Sequence, residues 1–113
     1  MAKSNKPIVW GLFAAGGTVT AFITPVLVLL TLLPVVGVMP ELLVYDNLHA
    51  FAGHWVGKLL LFGVIFLVLW HAAHRLRITL HDFGVRADSA VAVIVYLAAA
   101  AGTLAAAYFL LRI

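Results

Sequence analysis

A long stretch without charge is the feature that most limits what this chain can fold into. From Ile8 to Pro40 the sequence contains no Asp, Glu, Lys or Arg, whereas about 20 apolar residues are enough for one helical crossing of a bilayer. A charge at the bilayer centre costs about 2.5 to 3.5 kcal/mol on insertion scales, so a run this long marks a span. It predicts a transmembrane helix at residues 8–33, followed by Pro34 and Pro40.

Two further apolar stretches predict two more spans. One covers residues 55–75, with Lys58 near one edge, and the other covers residues 89–111 and ends before Arg112. We expect Asp46 to cap an earlier start of the second helix, and Ser89 or Asp88 to cap the third. With 65% apolar and 10% charged residues, against about 45 to 50% and 25% in soluble domains, the chain is predicted to be all-α: a single membrane domain, residues 1–113, of three transmembrane helices.

Composition also excludes several functions. The chain has no cysteine, which excludes disulfides, thiolate metal sites and iron–sulfur clusters held by this chain. We predict no metal site of its own. The net charge of +3 is accounted for by basic connections between spans, and we therefore expect no nucleic-acid partner.

The distribution of charge in the connections predicts the orientation. Basic residues precede the first span and follow the second: Lys3, Lys6, Arg75, Arg77 and Arg86. The connection after the first span carries the acidic residues Glu41 and Asp46 instead. Because Lys and Arg are retained on the cytoplasmic side, we predict a cytoplasmic N-terminus and a C-terminus on the outside of a bacterial inner membrane.

The third span is rich in alanine along its whole circumference. Helices in lipid associate through close packing of small side chains, and a three-helix unit has too little interior to use all of these alanines. This favours assembly with other membrane subunits.

All five histidines lie outside the first and third spans. A b-type haem held within the chain would need axial ligands on two helices, so an internal haem is not expected. A haem shared with a partner through His71 or His74 stays open. The first and third spans also lack the acid or base that a proton-coupled transporter needs near the midplane.

One polar cluster lies at the cytoplasmic end of the second span. His71, His74 and Arg75 are spaced to share a helix face, and Asp82 joins that face if the helix continues. Trp10 is predicted to lie at the same depth. An indole N–H and a guanidinium can donate to a carbonyl oxygen, and an imidazole can relay protons. An aromatic belt with topology-setting arginines explains the same residues, and residue types alone leave both interpretations open.

At these residues the sequence resembles the D-subunit family of fumarate reductases, the smaller hydrophobic anchors of quinol:fumarate oxidoreductase. The matching pieces keep the family order over nearly the whole chain: Pro7 to Phe13, Ala15-Gly16-Gly17, Pro25-Val26, Ala50-Phe51-Ala52, Leu69-Trp70, His74-Arg75 and His81-Asp82. The Trp-Gly-Leu-Phe-x-x-Gly-Gly opening together with His-Arg at the end of the second span is the most specific combination.

The resemblance implies a non-catalytic member of a four-subunit complex. Its partners would be a fumarate reductase flavoprotein with FAD, an iron–sulfur protein and a second membrane anchor, the C-subunit. Trp10 and Arg75 match family positions that line a menaquinol site, and His74 matches a neighbour implicated in quinone function. His71, His81 and Asp82 are further candidates for a proton relay. The matching branch of the family is free of haem.

One departure concerns a second, distal quinone region. Relatives follow Ala-Phe-Ala with Gln-Ser, whereas this chain has Gly53 and His54. Two alternatives to the quinol-site anchor stay open at the sequence level. They are a haem-bearing succinate dehydrogenase anchor and a structural membrane protein without quinone contact.

Overall fold

The computed structural model describes residues 6–113, so Lys3 lies outside the described residues. Three long helices dominate the structure: α1 (Lys6–Val35), α3 (Trp55–Asp82) and α4 (Asp88–Arg112). A 3-10 turn (Glu41–Leu43) and the short helix α2 (Tyr45–Gly53) connect α1 to α3. All three long helices are long and apolar enough to cross a membrane. The predicted all-α fold with three spans is therefore confirmed.

The end of α1 is set by a glycine turn. Pro25 and Pro34 both lie inside the helix, which ends one residue after Pro34. Gly37 has a φ of +85°, and the N–H of Val38 donates to the carbonyl of Leu33 at 2.8 Å. This six-residue hydrogen bond around a left-handed glycine is the Schellman ending of a helix.

The prediction for Asp46 is wrong. Asp46 does not cap the second span but lies in the first turn of α2, whose own N-cap is Val44 with no side-chain cap bond. The second span begins after a break at His54, which has an extended backbone and whose Nδ1 accepts from the N–H of Val56 at 3.2 Å. Gly57 lies directly against the carbonyl of Phe51, where a Cβ would not fit. A tight corner therefore separates α2 from α3.

Helix α3 extends beyond the predicted residues 55–75 at its C-terminal end and continues to Asp82. The arginines that end the apolar pattern do not end the helix, since arginine is a good helix former. The chain then turns at Gly84, which has a φ of +92°. Arg75 and Asp82 consequently belong to one continuous helix.

The predicted capping of α4 is also wrong. Its N-cap is Ala87, without a side-chain bond. Asp88 is the first residue inside α4, and its carboxylate pairs with Arg77 of α3.

Helix α3 packs against both α1 and α4, antiparallel to each. Gly16 of α1 lies against the backbone of Leu67, and Ala99 of α4 is 3% exposed beside Ala73 of α3. Small residues therefore form the closest helix contacts, as expected for helices in lipid. Many large apolar side chains on the outer faces are exposed, as expected where lipid or other membrane subunits surround a helix.

Candidate functional site

A cavity of about 510 Å³ opens where α1 begins, α3 ends and α4 begins. We call this end of the molecule the basic end, because Arg75, Arg77 and Arg86 lie there. The cavity walls are mostly apolar, and the aromatic and imidazole rings among them come from all three helices: Trp10, Phe13, Phe66, Trp70, His71, His74 and Tyr96. A volume of this size with a few polar groups is typical of small-molecule sites.

Phe13 connects the rings on the α1 side of the cavity. Its ring lies 4.7 Å from the His71 ring in a stacked arrangement and 4.7 Å from the His74 ring edge to face. The Trp10 ring meets Phe13 edge to face at 5.7 Å. These centroid distances are those of favourable aromatic pairs, so the four rings form one contiguous wall.

Two adjacent glycines make room for His71. A Cβ at Gly16 would lie 2.6 Å from the carbonyl oxygen of Leu67, and one at Gly17 would lie 2.9 Å from Cε1 of His71. Gly16 thus allows α1 to approach the α3 backbone, and Gly17 leaves space for the imidazole. Nδ1 of His71 is 3.3 Å from the carbonyl oxygen of Phe13, which ties α3 to α1.

The α4 side of the cavity holds a polar network. Nδ1 of His74 is 3.0 Å from the hydroxyl of Tyr96, to which Nη1 of Arg77 donates at 3.4 Å. The guanidinium of Arg77 also donates from Nε and Nη2 to the two carboxylate oxygens of Asp88, at 3.0 and 2.6 Å. Such a bidentate ion pair fixes the guanidinium in one orientation.

A second hydrogen-bonded chain lies deeper in the bundle. Nε1 of Trp70 donates to the hydroxyl of Thr103 at 3.2 Å, and that hydroxyl donates to the carbonyl of Ala99 at 2.8 Å. The Trp70 and Tyr96 rings stack with centroids 6.0 Å apart. The indole is therefore satisfied inside the bundle, as a partly buried Trp requires.

A smaller cavity of about 380 Å³ lies on the other side of His74. It is lined by Arg77, Ile78, His81 and Asp88 in addition to His74. His74 is thus the residue that separates an aromatic cavity from a more polar one.

The predicted site residues divide into two groups. Trp10, His71 and His74 line the larger cavity, and His81 lines the smaller one. Arg75 and Asp82 are exposed and belong to the lining of neither cavity. Successive residues in a helix are 100° apart, so Arg75 projects about that far round α3 from His74, toward the outer surface.

Several residues of the site were not predicted from the sequence: Phe13, Trp70, Tyr96, Arg77 and Asp88. Trp70 and Arg77 lie four before and three after His74, so helical spacing places them on its face. Tyr96 and Asp88 carried no such signal, because their contribution depends on how α4 packs against α3. Among the described residues, no three His, Asp or Glu side chains are grouped to hold a metal ion.

The ion pair between α3 and α4 gives a stability prediction. Asp88→Asn is expected to lower the thermal stability only slightly, because the Arg77 and Asp88 side chains are still 33% and 42% exposed and exposed ion pairs contribute little to stability. Thermal unfolding of the full chain in phospholipid nanodiscs measures it. Asp82→Asn, at an exposed position on the same end, is the control; an equal loss in both variants would contradict the prediction.

Comparison with known proteins identifies one family in every match described here. The family model for the D-subunit of fumarate reductase matches residues 1–111. The fumarate reductase D-subunit of Aliivibrio fischeri is 38% identical across 98% of this chain and 94% of its own length. That of a Shewanella strain is 39% identical across 98% and 93% of the two chains. That of Haemophilus ducreyi is 43% identical across 71% and 68%.

Three helices capable of spanning a membrane, a family match over nearly every residue and relatives of similar length agree with one another. The chain belongs to the D-subunit family of fumarate reductases.

Proposed function

We propose that this chain is a membrane anchor of a quinol:fumarate reductase, and that it forms part of the menaquinol site of that complex. It would hold the flavoprotein and the iron–sulfur protein at the cytoplasmic face of the bacterial inner membrane, together with the second membrane anchor, the C-subunit. FAD and the iron–sulfur clusters would belong to those partners, and we propose no haem. Electrons would pass from the quinol to a partner iron–sulfur cluster and on to fumarate.

The observation that carries this proposal is the aromatic cavity at the basic end. It lies between the beginning of α1 and the end of α3, and it has room for a quinone head group. Flat aromatic walls on several sides suit a flat aromatic ligand, and the imidazoles supply the few polar contacts that orient such a ligand.

The position of the cavity also agrees with the proposed orientation. The basic end carries Arg75, Arg77 and Arg86, while Glu41 and Asp46 lie in the connection between α1 and α3. By the positive-inside rule the basic end faces the cytoplasm. A quinol site there would lie on the side where the soluble redox partners dock, with the C-terminus of α4 outside.

Each predicted residue takes a role consistent with its place. Trp10, on the cavity wall, would donate its indole N–H to a quinone oxygen. Arg75, on the outer surface of α3, would complete the site from the rim, where it faces the partner proteins. His74 would contact the quinone between the two cavities and take or relay a proton.

A proton leaving the quinol needs a route to water, and three side chains at the basic end extend from the cavity. His71 lies in the cavity wall, His81 in the smaller cavity, and Asp82 at the surface. A further carboxylate close to the quinol would come from the second anchor, because Asp82 is not in either lining.

Substitution of Arg75 tests the proposal in the assembled complex. Arg75→Leu is expected to slow quinol-dependent fumarate reduction about 10-fold, the effect of losing one charged hydrogen bond of about 1.4 kcal/mol or slightly more. Fumarate reduction by a water-soluble dye should keep its rate, because that donor bypasses the quinol site.

Arg86→Leu is the matched control, since it removes the same charge from the turn after α3. Its quinol-dependent rate should stay within twofold of the original. Full quinol-dependent activity in the Arg75→Leu complex would show that Arg75 is not part of the site.

A further inference from the structure

Two histidines line the same cavity, and each has one ring nitrogen held by a different kind of partner. A neutral imidazole carries a single N–H, and the partner of one nitrogen decides which nitrogen has it. The contacts of His71 and His74 therefore determine what each ring can offer to a ligand.

The partner of His71 is a backbone carbonyl. The Phe13 oxygen, 3.3 Å from Nδ1 of His71, can accept a hydrogen bond but cannot donate one. The hydrogen of the neutral ring must then be on Nδ1 for this bond to form. Nε2 of His71 is left bare, and a bare imidazole nitrogen is an acceptor.

The partner of His74 is a hydroxyl whose direction is set by an arginine. Tyr96 has one hydroxyl hydrogen, and its oxygen already accepts from Nη1 of Arg77, which can only donate. Arg77 is held in that place by Asp88. Among the described residues the hydroxyl of Tyr96 has two hydrogen-bond partners, Arg77 and His74. Arg77 cannot accept, so Nδ1 of His74, 3.0 Å away, is the partner that accepts the hydroxyl hydrogen. Nδ1 of His74 accepts, and the hydrogen of the neutral ring is on Nε2.

We infer that the two histidines are held in opposite tautomers, so that His71 offers an acceptor at Nε2 and His74 offers a donor at Nε2. Tyr96 is a positioning residue, because it acts on a ligand through His74. This step rests on the proposed function, in which the ligand is a quinol head group with two ring oxygens, one for each histidine. A hydroxyl on one oxygen would donate to His71, and the other oxygen would accept from His74. His71 rather than His74 would then take the quinol proton, and His74 would orient the head group.

Nitrogen-15 NMR of the full chain tests the tautomers directly. The chain, labelled with 15N-histidine and reconstituted in phospholipid nanodiscs at a pH of about 8, where histidine is ordinarily neutral, has five histidines to resolve. Protonated and bare ring nitrogens give well-separated signals. His71→Asn and His74→Asn identify the two residues by the signals that disappear.

The expected spectrum has a protonated Nδ1 for His71 and a protonated Nε2 for His74. Tyr96→Phe removes the hydroxyl and should convert the His74 signals to a mixture of tautomers while those of His71 stay unchanged. Tyr108→Phe is the matched control on the same helix, since the hydroxyl of Tyr108 pairs with Arg112 at the other end of α4. The same tautomer in both histidines, or an unchanged His74 in Tyr96→Phe, would overturn the inference.

A kinetic measurement in the assembled complex separates this inference from the proposed function. Tyr96→Phe should raise the KM for quinol about fivefold, the effect of weakening one neutral hydrogen bond, with kcat within twofold and no change in Tyr108→Phe. If the NMR result holds but the KM does not move, the tautomers stand and the cavity is not the quinol site.

Discussion

Gly16→Leu is expected to prevent α1 from packing on α3 and to reduce the yield of folded complex by more than about 10-fold. A Cβ at this position would lie 2.6 Å from the carbonyl oxygen of Leu67 and 2.9 Å from Cβ of His71. Neither atom is the end of a flexible side chain, so the helices themselves must move apart. Overpacking in a core ordinarily lowers stability by about 1 to 3 kcal/mol. Because the clash here is with backbone, we expect a loss at the upper end of that range.

Size-exclusion chromatography of the detergent-solubilised complex measures the yield, and thermal unfolding of the full chain measures the stability. Gly11→Leu is the matched control on the same helix, because a Cβ at Gly11 meets no heavy atom within 4 Å. If the two leucine variants lose the same yield, the change reflects altered membrane insertion, and the close contact at Gly16 is not what holds α1 in place.

Ala99→Leu is expected to separate α4 from α3 and to lower the free energy of unfolding by about 1 to 3 kcal/mol. Ala99 is 3% exposed and packs with Ala73 and Val95 in the buried cluster of the molecule. The added atoms have no space to enter without moving α4. The movement would also disturb the hydroxyl of Thr103, which donates to the Ala99 carbonyl and accepts from Trp70.

Thermal unfolding of the full chain in nanodiscs measures this loss. Ala98→Leu adds the same atoms one residue earlier, at an exposed position of α4, and should leave the unfolding midpoint nearly unchanged. A midpoint for Ala99→Leu equal to that of Ala98→Leu would mean that α3 and α4 do not meet at Ala99.

Much of the fold could be predicted from charge alone. The spans follow from where Asp, Glu, Lys and Arg are missing, since lipid penalises charge strongly. The ends of the helices could not be predicted in this way. Arg75 ends the apolar pattern but not α3, and Asp88 is the first residue of α4 but bonds to Arg77 rather than capping the helix. Capping depends on competition among partners, which the local sequence does not reveal.

The candidate site was predictable in part on α1 and α3 and not at all on α4. Trp10, His71 and His74 meet as expected, because antiparallel neighbours bring the start of one helix beside the end of the other. Arg75 was expected on the face of His71 and His74, yet it is exposed outside the cavity lining. Tyr96 lies in an alanine-rich helix whose sequence shows no preferred face, so only its contact with His74 reveals it.

The short turn between Asp82 and Asp88 affects the order in which the chain can assemble. Its backbone bonds, from Phe83 to Thr79, Gly84 to His81 and Val85 to Leu80, make α3 and α4 a helical hairpin that needs no distant residue to form. Helix α1 is separated from α3 by a longer connection that includes α2. We therefore expect the α3–α4 hairpin to form more readily than the contact of Gly16 with Leu67, because that contact closes a longer loop.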